Sequence, residues 1–128
     1  MTYTILFLVG LSLTSVAMAL TVVSGRKGHR RTHLIRAIST VVLLAVAVVF
    51  AFLMQAYERK LPAREMAIHR IFSMTVAWVV PFVVITGILL WRNPRWRRLH
   101  QFCVGVLLIG TVGALVTGIW VLSLSEPL

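Results

Sequence analysis

Four side chains in this sequence have the chemistry to hold a metal or move a proton, and all are histidines: His29, His33, His69 and His100. The three acids, Glu58, Glu65 and Glu126, lie outside every apolar run. There is no phosphate-binding glycine loop, no nucleophile paired with a base, and no Cys/His set at zinc spacing. Hydrolysis and phosphoryl transfer therefore lack their residues. A neutral imidazole can still ligate haem iron or another metal, and helical bundles commonly house such ligands.

His33 and His100 sit at equivalent places, at the starts of the second and fourth apolar runs. In a four-helix bundle they would face one another and could share one haem b iron. They are the first expected ligands. His69 is the second site, at the start of the third run and therefore on the outer side of the membrane. Met54 could complete a haem there, and Gln55 or Glu58 would suit a harder metal. Copper is the other candidate metal. The plain alternative is that each ring rests at the membrane boundary, as amphipathic side chains do, and binds no cofactor. His29, among Arg30 and Arg31, reads as a solvated loop residue. Cys103 has no partner for a disulfide and reads as a small apolar side chain.

A repeat gives the histidines a frame. Ile68-His69-Arg70 is followed by Thr86-Gly87, and Leu99-His100-Gln101 by Thr117-Gly118, with 31 residues between copies. Eighteen residues make five helical turns, so histidine and glycine share a face about 27 Å apart. Consecutive spans run antiparallel. His100 should then lie at the level of Gly87, and His69 at the level of Gly118. Each glycine leaves room for a close helix or a flat ring. Packing accounts for this, since Gly110, Ala114 and Gly118 form a small-residue stripe. A slot for a planar cofactor accounts for it as well.

The elements that hold these residues are membrane spans. The chain has 128 residues, 59% hydrophobic and 12% charged, with a mean hydropathy of +0.95. Four apolar runs cover about residues 3–23, 34–56, 71–91 and 102–124. Each is near the ~20 residues needed to cross a bilayer core, and unpaired backbone is not tolerated in lipid, so each is a helix. The expectation is an all-α, integral membrane four-helix bundle, one domain over residues 1–128. The first run lacks a basic leading segment and is long for a signal peptide, so it reads as a retained span. Pro81 should kink the third span.

A net charge of +10 and a pI near 11.8 would suggest nucleic acid in a soluble chain. Here the cations are confined to loops. Nine (Arg26, Lys27, Arg30, Arg31, Arg36, Arg92, Arg95, Arg97, Arg98) flank loops one and three, against four (Arg59, Lys60, Arg64, Arg70) around loop two. Short basic loops stay in the cytoplasm. Loops one and three are expected inside a cytoplasmic membrane, with both termini outside. The inner cations should attract anionic lipid headgroups. Nucleic acid is not an expected partner, and no independent catalytic activity is expected. A transporter lacks its usual marker, an ionisable group in mid-membrane.

The second half of the chain resembles a group of small four-span membrane proteins of unknown function associated with cytochrome oxidase maturation. The likeness covers about residues 32 to 122. It rests on His33, His69, Pro81, His100 and Thr117-Gly118. The "HR…TG" and "LH…TG" patterns are also similar to those of haem-b membrane proteins. The resemblance implies a role in electron transfer or oxidase assembly, beside a larger complex. That family carries a further histidine at the outer end of span two. Here Met54-Gln55-Ala56-Tyr57-Glu58 has none, which puts an outer metal site in doubt. The rival class is a cofactor-free accessory subunit that binds lipid and protein partners.

Overall fold

A computed structural model describes all residues, 1–128, and the chain is all-α. Four helices dominate it: α1 (Thr2–Arg26), α2 (Arg30–Tyr57), α3 (Ala63–Arg92) and α4 (Arg97–Ser123). All four are long and apolar enough to cross a membrane. Two-residue extended pieces, β1 (Arg59–Lys60) and β2 (Glu126–Pro127), follow α2 and α4.

The helices outrun the apolar segments. The basic flanks continue the helical backbone, so His33, His69 and His100 lie inside helices rather than at their first residues. His29, at φ −78° and ψ 78°, stands just before α2 and is exposed.

The chain divides into two compact units: Met1–Lys60 with Pro127–Leu128, and Leu61–Glu126. Each is an antiparallel helical hairpin. In the first, α1 and α2 reverse through Gly28, whose φ of +73° suits a residue without a side chain. In the second, α3 ends at Arg92 because Asn93 precedes Pro94 and takes an extended backbone. Asn93 then accepts the Arg95 N–H through Oδ1 at 3.0 Å and starts a short 3-10 turn, Pro94–Trp96. Helix α3 runs through Pro81 without interruption. Pro81 brings no N–H to the ladder there.

The seam of each hairpin is built from small and hydroxylated residues. Thr14, Met18, Ser24, Thr40, Ala47 and Met54 are buried in the first hairpin. In the second, Val76 and Thr86 on α3 and Gly110 and Val121 on α4 are buried. Membrane helices associate through such residues because lipid offers no hydrophobic driving force between them. The outward faces are apolar: Trp78 is 71% and Ile109 73% exposed. With four spans, such faces identify a multi-pass membrane protein whose solvent there is lipid.

Candidate functional site

The repeat in the second hairpin becomes a pair of equivalent contacts. A methyl placed on Gly87 would lie 3.3 Å from Cε1 of His100, and one on Gly118 would lie 3.3 Å from Cε1 of His69. Both expected levels are met. The flat ring against each glycine is the imidazole itself.

The threonine before each glycine fixes the ring. Thr86 donates its hydroxyl hydrogen to the Phe82 carbonyl at 2.7 Å. Its oxygen lies 3.1 Å from Nδ1 of His100. With its one hydrogen directed to Phe82, the hydroxyl accepts, so His100 Nδ1–H donates. The other end repeats this. Thr117 donates to the Gly113 carbonyl at 2.7 Å, and its oxygen lies 3.0 Å from Nδ1 of His69. At His69 the Ser73 hydroxyl is also 2.9 Å from Nε2. The two latches stand about 26 Å apart along α3, close to a hydrocarbon thickness.

Between the latches the backbones approach closely. Gly110 faces Val76, whose Cγ2 would lie 3.2 Å from a methyl placed on the glycine. Phe72 lies so close over Gly113 that no side chain fits there. The first hairpin has one comparable end. His33 Nδ1 is 2.9 Å from the Thr21 carbonyl, which has only lone pairs, so Nδ1–H donates here too. The ring covers Gly25, with Cε1 at 3.0 Å from a notional methyl. Ser24 precedes that glycine, is buried, and donates to the same Thr21 carbonyl at 2.9 Å. One turn along α2, Arg36 Nη1 donates to the Leu20 carbonyl at 3.1 Å.

The other end of the first hairpin is closed by a carboxylate. Glu58 accepts the backbone N–H groups of Tyr3 and Thr4 and the Thr4 hydroxyl, each at 2.8 Å. The Met1 ammonium is 2.7 Å from Oε1. The first turn of a helix has unpaired N–H donors and a positive dipole end, and a carboxylate satisfies both. Partial desolvation pushes the Glu58 pKa up, but the ammonium and these hydrogen bonds outweigh it and hold it at about 2. Glu58 is therefore taken up as a cap, not offered to a metal. Beside it, Met1, Thr4, Tyr57, Arg59, Pro127 and Leu128 line a shallow cavity with it.

Each expected ligand is thus tied within its own hairpin: His33 to α1, His69 to α4 and His100 to α3. Met54 is buried in the first hairpin, and Cys103 is half-buried with a free thiol. No group of three or more His, Cys, Asp or Glu converges on a point where a metal ion could sit. Haem asks for less, since two axial side chains suffice. The roles of Thr86, Thr117 and Phe72, and the capping role of Glu58, lie outside what the sequence led one to expect. A signal for the two threonines existed, because Thr precedes Gly in both copies of the repeat, and Ser24-Gly25 is a third instance of a hydroxyl before glycine. Comparison with protein-family models, with curated proteins and with solved structures gave no match.

Proposed function

We propose that this chain is a small haem- or metal-binding protein of a respiratory or electron-transfer membrane, with His33 and His100 as ligands. One observation carries the reading. Both rings direct Nδ1–H to an oxygen on the neighbouring helix, so the neutral ring carries its lone pair on Nε2. Histidines that bind metal are commonly fixed in this way, because the outer bond sets tautomer and ring orientation. Haem b would supply one-electron transfer. The protein's part is to hold the imidazoles, keep water from them and set the basicity of Nε2. Copper is the alternative occupant. His69 makes the same kind of Nδ1 contact, and the Ser73 hydroxyl faces its Nε2; it is the second candidate site.

Loops one and three would face the cytoplasm, on the nine-to-four balance of cations. The membrane would be the cytoplasmic one, with anionic lipids and a larger membrane complex as partners. Delivery of haem or copper to an oxidase is the form of this function that the sequence resemblance favours. The test is a reduced-minus-oxidised absorption spectrum of the purified protein in mild detergent. A sharp haem alpha band, lost in His33→Ala and His100→Ala and kept in His69→Ala, is the expected result.

A second reading has its own observation. Each ring already fills the space at a glycine and hydrogen-bonds across its seam, which is sufficient work for a structural histidine. A colourless protein without metal by elemental analysis would leave this reading, a cofactor-free accessory subunit, in place.

A further inference from the structure

We infer that Arg36 is a specific ligand for the phosphate of an anionic lipid in the leaflet at the loop-one end. This rests on the lipid partner proposed above and is independent of the cofactor. Arg36 is set apart from the other loop-one cations by where it stands. Arg26, Lys27, Arg30 and Arg31 are exposed in or beside the loop, whereas Arg36 is half-buried, six residues into α2.

Depth makes an anion necessary. The 28 residues of α2 span about 42 Å, against a hydrocarbon core of about 30 Å. Centred, the helix leaves about 6 Å in the headgroups at each end, and Arg36 is about 9 Å from the helix start. Its backbone is therefore just inside the hydrocarbon, within side-chain reach of the phosphates. A cation at that level needs a counter-charge.

The α1/α2 hairpin provides none there. No acidic residue precedes Glu58. Glu58 stands at the opposite end of α2, about 33 Å away by helical rise, and is taken up by α1. The counter-anion comes from outside this hairpin.

The guanidinium is also held in place. Its bond to the Leu20 carbonyl and the His33–Thr21 bond one turn below tie that face of α2 to α1. A guanidinium has five N–H donors in a planar fork, and Leu20 takes one of them. A phosphate oxygen pair matches the fork geometry, as a bidentate, charge-assisted contact.

The test is lipid retention by the full chain in nanodiscs of phosphatidylcholine with a minority of phosphatidylglycerol, read by native mass spectrometry. The unaltered chain should retain phosphatidylglycerol in excess of its share. Arg36→Gln should lower that enrichment about fivefold, the worth of one lipid-facing cation. Lys27→Gln should change it far less. Equal losses in the two variants would mean diffuse attraction and would overturn the assignment. Displacement of the lipid by millimolar inorganic phosphate would overturn the lipid as its source. Should Arg36→Gln alter the helix content, the unaltered chain decides alone. A photoactivatable phosphatidylglycerol should label peptides containing residues 30–40, and labelling confined elsewhere would reject the proposal. Loss of a haem band with lipid retention unchanged would assign Arg36 to the cofactor instead.

Discussion

The two hairpins solve one problem by different means. Two apolar helices in lipid must be held in register without help from the hydrophobic effect. The α3/α4 hairpin uses the same contact twice, a histidine ring laid on a glycine and bonded to the threonine before it. The α1/α2 hairpin uses a variant of this contact at one end only, where His33 reaches a backbone carbonyl beside Ser24-Gly25. Its other end is closed by Glu58 on the first turn of α1. A neutral imidazole bond depends on shape and direction and can sit at membrane depth. A carboxylate cap depends on charge and belongs at the water boundary. The second hairpin is thus locked by fit at both ends, and the first by fit at one end and by charge at the other.

The largest way to break this comparison is at Gly113. An alanine methyl would run into the Phe72 ring, and overpacking of this kind costs about 1–3 kcal/mol. Gly113→Ala should lower the thermal stability of the α3/α4 hairpin in detergent, while amide exchange in α1 and α2 stays as it was. Gly105→Ala is the control, since nothing lies within 4 Å of its position. Equal effects at the two glycines would refute the close contact.

Removing a latch should cost less. Interhelical hydrogen bonds in membranes average about 0.6 kcal/mol, with a maximum near 1.7. Thr86→Val and Thr117→Val should each destabilise by about that much, and to similar extents if the two ends are equivalent. Imidazole nitrogen chemical shifts give a sharper reading. His100 should be Nδ1-protonated in the parent and lose that preference in Thr86→Val, with His69 unaffected. An unchanged tautomer would show that Thr86 does not set it.

The smallest effect separates the hairpins by pH. Glu58 has a folded pKa held at about 2, against an ordinary value of 4.5. A lowered carboxylate pKa stabilises the folded state above the ordinary value, and this is lost as pH falls through the folded one. Between about pH 4.5 and 2, protection of the Tyr3 and Thr4 amides, taken against the intrinsic exchange rate at each pH, should be lost. Glu58→Gln should show this loss already at neutral pH. The latch residues of α3 and α4 should keep their protection over the step that Glu58 governs.

Much of the frame was legible in the sequence. The four spans follow from apolar length, and the levels of His69 and His100 follow from a 31-residue offset between antiparallel helices. What could not be read was rotational phase. The repeat tells which residues share a depth, but not that Phe72 rather than Ile71 turns onto Gly113. The acceptor for His33 is a backbone carbonyl, which every residue has, so nothing in the sequence marks Thr21. Glu58 reads as a metal donor in the sequence because its partners are also backbone groups, the N–H donors of α1. The helices proved longer than the apolar runs because arginine-rich flanks favour helix as readily as the spans do. The seam contacts also explain why the glycines invite two readings: a gap that suits a planar group was already filled by the chain's own ring.

The paired latches of α3 and α4 have one more consequence. Exchange the two helices end for end and the histidine-to-threonine bonds at either rim are the same, while Ser73 beside His69 and Phe72 on Gly113 mark one end. The latches themselves have no top or bottom. The hairpin's insertion direction is then left to the side chains outside them, to Arg92, Arg95, Arg97 and Arg98 at one rim against Arg64 and Arg70 at the other. Moving a few arginines across would favour the opposite insertion of this hairpin, and because only residues 58–62 join α2 to α3, too few to cross a bilayer core of ~30 Å, the whole chain would have to turn over with it.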